Sequence, residues 1–160
     1  MTAPDVRLRA VEDADLPVFF GHLQDPEAIR MAAFTPADPS DGDAFAARWQ
    51  RIRTHPTGIV RTILADGQVA GHVASYESGG DTEVTYWLGR EHWGRGVATL
   101  ALRAFLTEVT LRPLRARAVQ DNAASLRVLQ RCGFRVCGQD RGFANGRGAE
   151  VAEFVLVLDE

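Results

Sequence analysis

Cysteine is scarce in this chain: only Cys132 and Cys137 occur among 160 residues, and no His or Cys sits near them at metal-ligand spacing. That argues against a metal-stapled or disulfide-stapled scaffold and for two reduced, packing thiols. Long apolar runs are missing as well. Nothing approaches the roughly 20 residues of a membrane-spanning helix, and the opening MTAPDVRLRAVEDAD lacks the basic-then-apolar pattern of a signal peptide. There is no basic excess, because the formal charge is −3, and this argues against a nucleic-acid surface. The local arginine clusters at Arg112, Arg115 and Arg117 and at Arg127, Arg131 and Arg135 read as solvated faces of a strand and a helix. Internal repeats, low-complexity tracts and linkers are absent too. What is present is a 46% hydrophobic chain, enough for one compact core but short for two. The expectation is one cytoplasmic domain over residues 1–160.

The apolar pattern changes period along the chain. VRLRAV (6–11) alternates and predicts an opening strand. Leu16, Phe19, Phe20 and Leu23 then recur at helical spacing, with Glu12, Asp13 and Asp15 at the favourable N-terminal end. DPEAIRMAAF predicts a second helix with Pro26 in its first turn, and the proline-punctuated stretch 34–43 a loop. Residues 44–55 predict a third helix, ended before Pro56. GIVRTILA and QVAGHVASYES flank Asp66-Gly67, a pair suited to a two-residue hairpin. Residues 81–89 read as a further strand. Val97, Leu100, Ala101, Ala104 and Phe105 then return to helical spacing. LRARAVQ (114–120) predicts a strand, and 122–132 a helix stopped by Gly133. A terminal hairpin turns at Ala144-Asn145-Gly146. The order implies a single mixed α/β domain.

One stretch points to chemistry. Trp93-Gly94-Arg95-Gly96 leads directly into a helix N-terminus, where several backbone N–H groups lie free beside the positive end of the helix dipole. Glycine there lets the backbone approach an anion closely, and Arg95 can add a charge-assisted contact. The spacing matches neither the P-loop nor the dinucleotide fingerprint. About 25 residues further on comes DNAASLRVLQRCGF (121–134). Its Asp121 or Asn122 suits a helix cap, and Leu126 and Leu129 suit packing.

Together these segments resemble the GNAT superfamily of N-acetyltransferases, in its RimJ/RimL-type branch of ribosomal-protein N-terminal acetyltransferases. WGRGVA (93–98) matches the family's loop pattern from its second half on, and Trp93 is a variant common in that branch. EVTYWLG resembles the branch's strand, with Thr85 in place of Gly. Asn122, Ser125, Leu129 and Gly133-Phe134 match the following helix. The resemblance implies a central mixed, mostly antiparallel twisted sheet of six to seven strands flanked by four to five helices. It implies acetyl-CoA as co-substrate and no metal.

By that resemblance the amides of Gly94, Arg95, Gly96, Val97, Ala98 and Thr99 hold the pyrophosphate. The main chain of Tyr86, Trp87 and Leu88 pairs with the pantetheine arm, and Asn122 touches the cofactor near its thiol. Direct transfer needs a neutral amine, donors for the oxyanion and an acid for the leaving thiolate. The usual Tyr acid falls at Leu129 here, so Ser125 takes its place. A Glu found in some relatives falls at Arg117, which leaves Glu83 and Glu150 as candidate bases. Among histidines, His72 and His92 merit testing, while His22 and His55 read as surface residues. Phe19, Phe20, Phe34 and Trp49 suit either the acceptor end or the core. The expected acceptor is a small-molecule amine or a peptide N-terminus, and a homodimer is allowed. Nucleic acid and membrane are not expected partners. A donor with a larger acyl group, or an acyl-CoA sensor without catalysis, are the alternatives.

Overall fold

The computed structural model describes residues 3–160. Strand β1 (Val6–Arg9) is followed by helices α1 (Asp15–Leu23), α2 (Pro26–Ala32) and α3 (Gly42–Thr54). Then come β2 (Ile59–Ala65), β3 (Gln68–Ser78) and β4 (Asp81–Leu88), a 3-10 turn at Arg90–His92, and α4 (Val97–Glu108). The chain ends with β5 (Leu114–Val119), α5 (Ala123–Arg131), β6 (Arg135–Ala144) and β7 (Ala149–Leu158). All seven strands share one sheet in the order β1-β2-β3-β4-β5-β7-β6. Every pairing is antiparallel except β4 with β5. The predicted class and element order hold; the short turn at 90–92 escapes any periodicity argument, being one turn long.

Local chemistry sets the element ends. Asp25 caps α2 through its side chain, with Pro26 at the first helical position, where a missing N–H costs nothing. Asp41 caps α3 by accepting from Ala44 N–H at 3.0 Å. Asn122 caps α5 by accepting from Ser125 N–H at 3.1 Å, a contact typically worth ~1 kcal/mol. At the β2–β3 hairpin, Asp66 and Gly67 both take positive φ, as a primed two-residue turn requires.

Alternation divides the sheet into two faces. Val73, Val84 and Leu88 turn one way and pack with Val97, Ala101, Leu102 and Phe105 of α4 in the main core. Phe105 is fully buried, which contributes roughly 2–3 kcal/mol of apolar burial. On the opposite face Phe19 of α1 stacks on Trp49 of α3 at 5.0 Å between ring centroids. His72 of β3 completes that group, 4.9 Å from Phe19 and 4.8 Å from Trp49. The helices therefore cover both faces and leave the middle of the sheet to define any opening.

Candidate active site

The opening is made by two strands that part company. β4 and β5 pair in parallel at a single register, Glu83 with Arg115. Beyond it β5 stays on β7 as far as Val119, while β4 continues along β3 to Leu88. The cleft between them holds about 820 Å³. Tyr86 and Leu88 line one wall, Ala118 and Val119 the other, and the N-termini of α4 and α5 close it. Gly89 N–H donates to the Ala70 carbonyl at 2.8 Å. By the alternation of an antiparallel ladder this turns the main chain of Trp87 toward β3, and that of Tyr86 and Leu88 toward the cleft. Of the three strand residues expected to offer backbone, Trp87 is thus already committed to the sheet. The Leu88 carbonyl is also taken, because Trp93 Nε1 donates to it at 3.0 Å. Trp93 thereby fastens the glycine turn to the end of β4.

Gly94 and Gly96 have φ of +73° and +78°, a region that L side chains avoid. Gly96 is the N-cap of α4 and supplies no side-chain cap. The first helical bond runs from Leu100 N–H to the Gly96 carbonyl at 3.1 Å. Among the described residues, no acceptor takes the amides of residues 94 to 99. Six consecutive amides are therefore left without a protein acceptor at a helix N-terminus, and all of these residues except Arg95 line the cleft; such a row of free donors suits an anion. The Arg95 side chain turns away to pair with Asp66 at 2.7 Å. Of the cations that line the cleft, Arg48 of α3 and, on α5, Arg127 and Arg131 have no ion pair among the described residues; the last two lie on the helix that closes the cleft beside α4. In the sequence both read only as part of a solvated helix face.

At the first turn of α5 the candidate acid meets a partner the sequence does not disclose. Tyr86 Oη donates to Ser125 Oγ at 3.2 Å, and burial pushes the Tyr86 phenol above its ordinary range. Asn122 is engaged at both ends, accepting from Ser125 and donating through Nδ2 to Met31 O at 3.2 Å. Its demonstrated work is to cap α5 and tie it to α2. Leu129, where many relatives place an acid, is buried in the core.

The two candidate bases separate. Glu83 lies in the sheet beside the cleft with Oε1 held by Arg117 at 2.8 Å. The same guanidinium contacts Asp140 and Glu153, each at 2.9 Å, so three carboxylates share one cation. Those contacts raise the Arg117 pKa, led by the Glu83 and Glu153 hydrogen bonds. Glu150 sits exposed near the start of β7, opposite Phe143. The structure does not bring it to the cleft, because the β6–β7 hairpin carries that end of the strand beyond β5. Arg117 is likewise more than a solvated strand residue.

The histidines also divide differently from expectation. His72 lines the cleft and is only partly exposed, its ring packed against Phe19 and Trp49, and burial lowers its pKa to about 3. His92 is buried at the 3-10 turn. His22, expected at the surface, is 9% exposed in its side chain, 3.6 Å from Glu91. Its pKa is lowered, chiefly by burial. Phe19, Trp49 and Phe34 do line the cleft, and the first two are core residues as well. Cys132 and Cys137 are free thiols. Among the described residues no group of His, Cys, Asp or Glu could hold a metal, and no helix is long and apolar enough to cross a membrane.

A cleft opened by parting parallel strands, with a row of free amides at one end and a hydroxyl pair inside, defines an acyl-transfer class of protein. The chain belongs to the GNAT acetyltransferases: residues 5–135 match the family described as Acetyltransferase (GNAT) domain. It is 31% identical to an uncharacterized N-acetyltransferase, p20, of Bacillus licheniformis, over 96% of this chain and 93% of that one. It is 25% identical to YdaF of Bacillus subtilis, provisionally named a ribosomal N-acetyltransferase, over 86% of this chain and 82% of that one. Its fold is shared with Mycobacterium smegmatis RimJ, solved in complex with a CoA disulfide, at a TM-score of 0.78 and 21% identity. That match covers 96% of this chain and 81% of the other. These likenesses agree with the RimJ/RimL-type branch that the motifs resemble.

Proposed function

We propose that residues 1–160 form one cytoplasmic N-acetyltransferase domain that moves an acetyl group from acetyl-CoA directly to a primary amine. The observation that carries this reading is the row of unbonded amides from Gly94 to Thr99 at the mouth of the β4–β5 cleft. Those donors suit a pyrophosphate, and Arg127 and Arg131 stand beside them for further phosphate charge. The free main chain of Tyr86 lies along the path a pantetheine arm would follow. Acetyl-CoA, when bound, supplies a thioester. Ser125 then offers a hydroxyl to the departing sulfur from the positive end of α5. Glu83 is the candidate to receive the acceptor's amine, with Asp140 and Glu153 adding negative charge around Arg117. Because Arg117 occupies Glu83 Oε1, the geometry favours Glu83 as an acceptor that holds the neutral amine by a hydrogen bond over Glu83 as its base.

Calorimetry with CoA and acetyl-CoA tests the donor site; no binding at millimolar ligand would remove it. Gly96→Ala introduces a side chain at φ +78° with no protein atom in its way. Its cost is backbone strain of about 1 kcal/mol, and acetyl-CoA affinity should fall about tenfold as the loop relaxes. An unchanged dissociation constant would show that the turn does not hold the phosphates.

Release of CoA thiol with a panel of peptide N-termini and small amines then tests transfer. The acceptor favoured is a protein N-terminus, by the likeness to YdaF, provisionally named a ribosomal N-acetyltransferase, and by Asp140 and Glu153, which line the cleft around Arg117. The chain contains no lysine, so its own side chains offer no primary amine to blur the assay. Ser125→Ala should lower kcat about a hundredfold with little change in acetyl-CoA affinity, and unchanged turnover would clear Ser125. Binding without turnover on any amine would favour the sensor alternative. Edge strand β6, where Val136 and Phe143 stand exposed, offers a surface for the homodimer; light scattering of the purified chain reads it.

A further inference from the structure

We propose that Tyr86 is a positioning residue for the transfer step: its phenol fixes the Ser125 hydroxyl so that the serine proton points at the sulfur of the departing thiol. The inference rests on the acetyl-transfer reading above and deepens it. Four observations carry it. Tyr86 Oη lies 3.2 Å from Ser125 Oγ, and both residues line the cleft. The Tyr86 ring packs against the main core, so the phenol cannot swing out to another partner. Ser125 N–H is held by Asn122 at 3.1 Å, which fixes the backbone that carries the hydroxyl. Leu129 is 2% exposed within the core, so no acid enters from one turn further along α5.

A serine hydroxyl has one proton and a free rotor. With a donor lodged on its lone pair, Ser125 must aim its own O–H elsewhere, and the cleft is the open direction. The raised phenol pKa, caused by burial, keeps Tyr86 protonated and therefore a donor. In the reaction the amine nitrogen bonds to the carbonyl carbon, the C–S bond breaks and its electron pair leaves on sulfur. Ser125 stabilises that sulfur by a hydrogen bond and keeps its proton. The surplus proton on nitrogen passes through water to the thiolate, giving an amide and a free thiol. Tyr86 donates to Ser125 throughout and is neither consumed nor ionised. A tyrosine reaches the reacting end from β4, 39 residues before Ser125 in sequence, in place of one on α5.

Tyr86→Phe removes one oxygen and keeps the ring, so the core is preserved; a thermal melt checks this. In steady-state thiol release, Tyr86→Phe should lower kcat about tenfold, with KM for acetyl-CoA within about twofold. The double variant with Ser125→Ala should be no slower than Ser125→Ala alone, because both changes remove one interaction. The loss should shrink when acetyl-CoA is compared with a thioester of a more acidic thiol, whose leaving group needs less help. A purely structural tyrosine would lower both donors equally. Full kcat in Tyr86→Phe, losses that add in the double variant, or an equal loss with both donors would overturn the inference while leaving acetyl transfer intact. Wild-type protein that releases no thiol with any amine would overturn both.

Discussion

Gly71→Ala should cost the protein a large part of its stability. A Cβ built on Gly71 falls onto the Trp87 carbonyl oxygen, with Leu88 Cα at 3.0 Å. Both neighbours are backbone of a paired strand, and neither can rotate aside as a side chain could. The close approach has a local cause. The β2–β3 register slips between Ile63 and Leu64, pairing Ile63 with Gly71 but Leu64 with Val69. Ala70 is the extra residue, and a bulge bends its strand toward the next one. The cost is about 4 kcal/mol or more, the range reserved for backbone overlap in a core. Against a typical total stability of ~5–15 kcal/mol, that is a large fraction, and the unfolding midpoint should fall sharply. Denaturant unfolding reads the effect, with Gly21→Ala as the control. Gly21 lies in α1 with no atom within 4 Å of the place an alanine methyl would take, and Ala there should be neutral or stabilising by up to ~1 kcal/mol. A Gly71→Ala midpoint near wild type would mean that β3 and β4 can separate at this point. The cleft wall would then be softer than its register suggests.

The second large effect is expected at Asp15, the buried carboxylate that ties α1 to β1 and β2. Arg9 grips it with two bonds of 2.7 and 2.9 Å. Thr62 Oγ1 donates at 2.7 Å, and Glu12 N–H at 2.9 Å. Asp15→Ala leaves the Arg9 guanidinium and a fully buried Thr62 hydroxyl without their acceptor, at a cost of roughly 3–5 kcal/mol. The same bonds, the Arg9 hydrogen bond foremost, hold the Asp15 pKa at about 2 against an ordinary 3.8. A folded-state pKa below the unfolded one favours folding wherever the carboxylate is ionised in both states. That contribution, about 2 kcal/mol, is complete above pH 4 and disappears as pH falls from 4 toward 2. Acid titration of stability should show this loss in the wild type and not in Asp15→Ala. A wild-type curve parallel to the variant's through that window would mean that Asp15 is not held as an anion.

Asp15 also shows where local reading stops. At the start of a helix it suits the dipole, which is how the sequence alone explains it. Its burial and its grip on Arg9 and Thr62 come from the way β1 and β2 lie across that helix end. His22 is a similar case. Nothing in its neighbourhood predicts burial, because Gly89 and Glu91, which close over it, arrive almost seventy residues later. Glu83 and Glu150 look equivalent in sequence, as strand carboxylates. Only the tilt of β4 away from β5, and the reach of the β6–β7 hairpin past the sheet, put one beside the cleft and the other outside it.

The sequence by itself determined the order of strands and helices, a cap for α5 at Asp121 or Asn122, the glycine turn before α4 and the family. All of these depend on neighbours a few residues apart, and spacing reports such neighbours directly. Tertiary structure alone decided that Trp87 turns its main chain toward β3 and that Arg117 gathers Glu83, Asp140 and Glu153. It also decided that Tyr86 meets Ser125. Those contacts join side chains from separate strands and helices, and their geometry follows from strand register and from the point where β4 and β5 separate. A register shift of one residue would turn each of these groups to the other face.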